Sequence, residues 1–173
     1  MKAVVFGGTG LLGSSIAQYL TLNKYNCSIT SMNKKSNLRT NHLSKKIITK
    51  FLQKNKPNLI INCVAETNVD LCNKNFTHAY KSNVLTVRNI VSSLKDLKYN
   101  CFFVHISTDQ VYNSNKVNDE ENVNITNNYA YTKFLSEIEA LVYKKTLIVR
   151  TNFFGQSKSR NRNSFSDYII SNI

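Results

Sequence analysis

The chain has 173 residues, 42% of them apolar and 10% aromatic, which is enough for one buried core and too apolar for a disordered segment. A formal charge of +13, from 23 Lys and Arg against 10 Asp and Glu, would by itself suggest nucleic acid or an anionic membrane as partner. The cations are scattered, with "NKKSNLR" and "SKSRNR" the densest runs, and no run approaches the ~18 apolar residues of a membrane span, so neither partner is expected.

Residues 2–6, "KAVVF", read as a first strand, and "GGTGLLG" follows at once, with Gly7, Gly10 and Gly13 in G-x-x-G-x-x-G spacing. Glycines so placed let the chain turn sharply, approach a pyrophosphate and pack the next helix closely. That helix, near 11–22, turns its unpaired N–H groups toward negative charge. A structural turn is the bland alternative, but the position between a strand and an apolar-periodic helix favours dinucleotide binding through Gly7, Thr9, Gly10, Leu11, Leu12 and Gly13. The same start is too short and too rich in glycine for a signal peptide, and a cytoplasmic setting is expected.

The second strand, 27–31, runs into "SITSMNKKSNLR". An NAD-selective site places a carboxylate here for the adenine ribose. Ser31, Lys34 and Arg39 offer a hydroxyl and cations instead, which suit the 2′-phosphate of NADP; a solvated basic loop is the alternative. No third strand is evident, and residues 41–55 hold either a short "KIIT" edge strand or helix throughout. A strand at 58–64, a helix at 76–94, a strand at 100–106, a helix at 127–144 and a strand at 146–150 complete the rhythm, broken only by the acidic, Asn-rich loop "SNKVNDEENVNITNN". Phe165, Ile169 and Ile173 then fall at helical spacing. Short apolar strands without a polar face fit a parallel sheet covered on both sides, and the fold class is α/β, a Rossmann-type doubly wound sheet in a single domain.

Thr108 and Ala65 lie near the carboxyl ends of predicted strands, where such sheets bind ligands. Tyr129 and Lys133 are four apart and share a helix face, whereas Tyr131 points elsewhere. Thr108 could hold a substrate carbonyl while Tyr129 gives its oxygen a proton. Lys133, together with an oxidised cofactor's positive ring, would favour the anionic phenol. Each residue also has a structural reading: Thr108 as a turn cap, Tyr129 as packing, Lys133 as a solvated rim. Asp109 is expected to order its turn, Glu137 either to pair with Lys133 or to stabilise the helix, and His105 to be a buried, hydrogen-bonded strand residue. His42, His78 and His105 show no metal spacing, no metal site is expected, and Cys27, Cys63, Cys72 and Cys101 read as small hydrophobes rather than disulfides.

Taken in order, these segments resemble the extended short-chain dehydrogenase/reductase family, in its sugar-nucleotide branch and nearest to the dTDP-4-dehydrorhamnose reductases. "NCVAETNVD" is similar to the family's "NAAAYTAVD", with Glu66 in place of an aromatic residue; "STDQVY" is similar to "STDYVF", "YAYTK" to "YGxTK", and "VRTNFFG" to the strand and turn leading toward substrate. The resemblance covers nearly the whole chain and places Asn83 in a supporting role. It implies Thr108, Tyr129 and Lys133 as catalytic residues, and Ala65, Tyr129 and Lys133 beside the cofactor, NADP in its reduced form NADPH or else NAD. The implied reaction is reduction of the C4 keto group of a nucleotide-linked sugar, with a homodimer compatible with it. An NAD-retaining epimerase or dehydratase is the second reading, and a non-catalytic dinucleotide-binding protein the third. Family members run longer, so residues 1–173 are expected to form the NAD(P)-binding domain with the C-terminal substrate lobe largely absent.

Overall fold

In the computed structural model, which describes residues 1–31, 38–39, 44–113, 117–155 and 165–172, the apolar runs form a six-stranded parallel sheet. The strands are β1 (Lys2–Phe6), β2 (Asn26–Ser31), β3 (Leu38–Arg39), β4 (Leu59–Asn62), β5 (Phe102–Thr108) and β6 (Thr146–Thr151), in spatial order β3-β2-β1-β4-β5-β6. The order reverses between β1 and β4, which puts a crevice beyond the carboxyl ends of those two strands. Register fixes the shared edge: Phe6 lies beside Thr30 and Asn62, Asn62 beside His105, and Thr108 beside Thr151.

Alternation along the strands divides the core into two layers. Val4, Phe6, Ile60 and Phe103 face one side, where they pack on Ile48, Phe51 and Leu52 of α2 (Lys45–Asn55) and on Val87, Ile90, Val91 and Leu94 of the later helix Thr86–Leu97. Phe6 meets Phe51 edge-on at 6.4 Å between ring centres. Ala3, Val5, Leu59 and Ile61 face the other side, under Ile16, Ala17 and Leu20 of α1 (Leu11–Leu22). This second layer is narrower than the expected two-sided cover. It does not shield the β5–β6 end, where Phe102 is 46% and Leu147 48% exposed.

The third strand is two residues long, too short to leave an apolar run, and the "KIIT" segment is helical within α2. Beyond β4 the chain is more broken than the single predicted helix. A short α3 (Val69–Lys74), α4 (Phe76–Tyr80), a π-helical turn at Lys81–Leu85 and α5 (Thr86–Leu97) follow one another. Asn68 and Asn75 start α3 and α4 by accepting from the N–H groups of Leu71 and His78. After β5 comes a 3₁₀ turn (Asp109–Val111); residues 117–127 lead into α6 (Asn128–Leu141), β6 follows, and α7 (Phe165–Ser171) is the last described helix. No described helix is long and apolar enough to cross a membrane.

Candidate active site

The glycine loop is shaped by close backbone approach. Gly7 has φ +77°, a conformation that L side chains rarely adopt, and a Cβ there would stand 3.0 Å from the Cys63 carbonyl carbon and 3.1 Å from Val64 N. A Cβ on Gly13 would stand 2.3 Å from Gly7 O, so the first turn of α1 packs directly onto the loop. Gly8, which the motif spacing does not single out, is equally constrained: its Cβ would overlap the Ile29 side chain at 2.5 Å. Gly10 differs from these three. It caps α1 in extended conformation, and a Cβ there would meet only Gly7 O, at 3.3 Å. The space outside Gly10 is therefore open, at a helix start with no side-chain cap and no acidic residue in its first turn. Open space beside unpaired N–H groups of Leu11 and Leu12 fits the pyrophosphate of a dinucleotide.

The other predicted cofactor residues fall on the same edge where they are described. Thr9 is half-buried in the loop, Ser31 is buried at the end of β2, and Ala65 is half-buried just beyond β4. Lys34 lies outside the described residues; Arg39 stands in β3, and its side chain lies outside them too. The chain after β6 returns to this edge, since a Cβ on Gly155 would be 3.8 Å from Leu11 Cδ1.

Across the crevice, Asn127 caps α6 by accepting from Ala130 N at 2.8 Å, which sets Tyr129 in the first turn and Lys133 one turn later. Both are buried, Tyr129 at 8% exposure and Lys133 at 1%. The Tyr129 phenol is pushed above its ordinary range by burial, while a hydrogen bond with the Thr108 side chain pulls the other way. Thr108 Oγ1 also accepts from Gln110 N at 3.2 Å, which caps the turn, and its hydroxyl donates to Asp109 Oδ1 over a long 3.4 Å.

Lys133 differs from expectation. Its Nζ donates to the Ile106 carbonyl at 2.7 Å, and burial brings the ammonium down to about 8, against the upward pull of Glu137. In the protein alone, then, burial rather than Lys133 dominates the Tyr129 phenol, which is held neutral. Cys63 completes this corner: burial pushes its thiol up to about 12, opposed by the Lys133 charge.

Polar partners from distant segments hold these groups in place. Asn83, fully buried in the π-helical turn, accepts from Glu66 N at 2.7 Å and donates to Glu66 O at 3.3 Å and to Thr132 Oγ1 at 2.9 Å. Thr132 in turn donates to Tyr129 O. One amide thereby joins the loop after β4 to the turn of α6 between Tyr129 and Lys133, and π-helical turns of this kind are frequent at functional sites. The Glu66 carboxylate turns outward to Asn68 N and His78. His105 is buried between Asn62 Nδ2 at 3.1 Å and Ser136 Oγ at 2.8 Å. Ser136 already gives its proton to Lys133 O, so it accepts from Nε2–H, and His105 is the neutral Nε2–H tautomer, its pKa well below the usual value through burial.

Glu137 does not pair with Lys133. It receives Ser107 Oγ and the guanidinium of Arg150, with Nη2 to Oε2 at 2.7 Å and Nε to Oε1 at 3.1 Å. Ser107 and Arg150 are register partners on β5 and β6 and point to the same face, which no spacing within the chain reveals. Tyr131 lies outside the site, 44% exposed and stacked on Phe76 at 6.1 Å. Among the described residues no group of three His, Cys, Asp or Glu could hold a metal, and the four cysteines are unpaired thiols.

The family described as RmlD substrate binding domain matches residues 1–170. Two curated relatives are similar: a dTDP-D-glucose 4,6-dehydratase of Dictyostelium discoideum, 24% identical over 91% of this chain, and a dTDP-4-dehydrorhamnose reductase of Aggregatibacter actinomycetemcomitans, 27% identical over 90%. The matched parts are 38% and 52% of those proteins, so the chain spans about half their length or less. Among solved structures, a dTDP-4-dehydrorhamnose reductase from Clostridium acetobutylicum superposes with TM-score 0.83 at 27% identity, covering 99% of this chain and 59% of that one. Another, from Bacillus anthracis in complex with NADP, gives 0.84 at 23% identity, covering 98% and 59%.

Proposed function

The chain belongs to the RmlD substrate binding domain family, and from that premise we propose that it binds NADPH at the β1–α1 edge and takes part in reducing the C4 keto group of a dTDP-linked sugar. The observation that supports this reading is that the Tyr129 phenol bonds the Thr108 side chain while Lys133, one helical turn on, reaches the Ile106 carbonyl of the same strand, on the sheet edge that also holds the Gly10 corner. When bound, the nicotinamide supplies a hydride to the carbonyl carbon. Gly10 and the N–H groups of Leu11 and Leu12 hold the pyrophosphate. Ser31, Lys34 and Arg39 are the residues assigned to recognise the adenosine 2′-phosphate, and Ala65 is assigned to the cofactor's side of the crevice.

The buried Tyr129 phenol keeps its proton at neutral pH and gives it to the substrate oxygen. Thr108 turns its hydroxyl from the long bond to Asp109 Oδ1 and donates to that same oxygen, orienting the carbonyl against Tyr129. Lys133 exchanges its Ile106 carbonyl for the nicotinamide ribose, and its charge then stabilises the tyrosinate left behind. Asn83 holds both sides of the site together through Glu66 and Thr132. The NADP complex of the Bacillus anthracis protein supports the choice of cofactor.

Adding a dTDP-linked 4-keto sugar to the chain with NADPH should deplete the reduced-nicotinamide absorbance, and Tyr129→Phe should abolish the loss. The match to the Dictyostelium discoideum dehydratase favours one second reading, an enzyme that retains NAD. Conversion of a sugar nucleotide with no net consumption of dinucleotide would decide for that reading and against reduction.

A further inference from the structure

Arg150 lies outside the three residues assigned to chemistry, yet its guanidinium touches more of the site's framework than any of them. One side is used by α6: Nε and Nη2 bond both oxygens of Glu137, a carboxylate 4% exposed that also receives Ser107 Oγ. The other side is used by the chain that follows β5. Nη1 donates to Tyr112 Oη at 2.7 Å and to the Glu120 carbonyl at 2.9 Å, and the guanidinium carbon stands 5.2 Å from the centre of the Tyr112 ring.

The stretch 117–127 that contains Glu120 has further anchors on the turn after β5. Asn124 N donates to Val111 O at 2.9 Å, Asn124 Nδ2 to Asn113 O at 3.2 Å, and Asn127 Nδ2 to Gln110 Oε1 at 3.3 Å. Asp119 bonds only within the stretch, to Glu121 and Asn122. Its residues are mostly exposed, and it ends at Asn127, the cap of the helix bearing Tyr129. Through Asn127 and Asn124 it is bonded to Gln110 and Val111 of the turn after Thr108, so it borders the Thr108–Tyr129 side of the site, where the proposed reading has a sugar nucleotide enter.

We infer that Arg150 is a positioning residue that fixes this border, with Glu137 as its anchor and Tyr112 and Glu120 as its cargo. The geometry suits arginine alone. The planar fork serves a carboxylate along one edge and two further acceptors along the other, whereas a lysine ammonium keeps the charge against Glu137 and cannot reach all of them. The pair also couples the two elements that carry chemistry, since Ser107 precedes Thr108 and Glu137 lies one turn beyond Lys133. The inference deepens the proposed reductase reading and rests on it for the identity of what enters past 117–127.

The test compares Arg150→Lys and Tyr112→Phe with the parent chain. Arg150→Lys keeps Glu137 neutralised, and Tyr112→Phe leaves the ion pair whole, so at least one folded variant is secured. Hydrogen exchange in 117–127 should rise about tenfold in both, with exchange in 2–22 and NADPH affinity unchanged. With a dTDP-linked 4-keto sugar, KM should rise about fivefold or more while kcat stays near the parent value. Unaltered exchange in 117–127 in folded variants, or a fall in kcat at constant KM, would overturn the inference. Absence of turnover by the parent chain would sink the reductase reading instead, and the exchange comparison would still decide whether Arg150 holds this border.

Discussion

At the β1–α1 end of the crevice the chain is shaped by missing side chains: Gly7, Gly8 and Gly13 each stand where a Cβ would strike backbone or the Ile29 side chain. At the β5–α6–β6 end it is shaped by side chains that must all be present, Asn83, Thr132, Glu137, Ser107 and Arg150. The first arrangement packs one turn of chain against the strands on either side, Gly8 on Ile29 and Gly7 on Cys63 and Val64, with no polar side chain taking part. The second joins residues 13 to 49 positions apart through buried polar groups. A site edge built by exclusion should fail by steric overlap; one built by a network should fail by leaving charges and donors unpaired.

The largest loss is expected where the network holds its buried charge. Glu137→Ala leaves the Arg150 guanidinium, 15% exposed, facing an emptied site, and should cost about 3–5 kcal/mol in urea unfolding. Gly13→Ala attacks the other end. With Gly7 O, a backbone atom, only 2.3 Å from the new Cβ, the loop or α1 must shift, at a cost of about 3 kcal/mol. Asn83→Ala should cost about 2 kcal/mol, because Glu66 N and Thr132 lose their partner while the surrounding apolar packing is kept. If Asn83→Ala proved as severe as Glu137→Ala, the division between a charged and a neutral part of the network would be wrong.

What could be read in the sequence follows the same division. Strand and helix order, the glycine corner and the Tyr129–Lys133 pair were legible because strand alternation, turn glycines and i,i+4 spacing are properties of short segments. Strand β3 was not, since two residues carry no pattern. The π-helical turn was not, because the apolar period of 76–94 continues through it with no Pro or Gly to mark it. Asn83 drew attention only through family resemblance. Arg150 looked like any cation in a strand, because its meaning depends on the β5–β6 register, which puts it beside Ser107. Gly8 was passed over for the same reason: its obstacle is the Ile29 side chain on β2.

Lys133 sharpens the comparison without breaking the network. Its ammonium is lowered from 10.5 to about 8 by burial, so between those values the unfolded chain binds the proton and the folded one has released it. Stability therefore rises with pH across that window, and the penalty for burying the charge, on the order of 3 kcal/mol, is in force below about pH 8. Lys133→Met should remove that rise, seen as the difference between the two unfolding-against-pH curves, and should be close to neutral or mildly stabilising at pH 7. A parallel pair of curves would mean that Lys133 is solvated or ion-paired in solution and does not reside on the Ile106 carbonyl.

The smallest effect on stability is expected at Gly10, where the proposed function sets the pyrophosphate. Gly10 sits at φ −75° and ψ 173°, a conformation open to any L residue, and its Cβ would meet one carbonyl oxygen at 3.3 Å. Gly10→Val should therefore unfold within about 0.5 kcal/mol of the parent. The added methyl groups, however, project from the loop into space that the described residues leave open, beside the N–H groups at the start of α1. NADPH binding followed by calorimetry should be lost in this variant while its unfolding curve hardly moves. Loss of stability comparable to Gly13→Ala would mean that Gly10 is there for the fold, as its three neighbours are, and retained NADPH binding would move the pyrophosphate off this corner altogether.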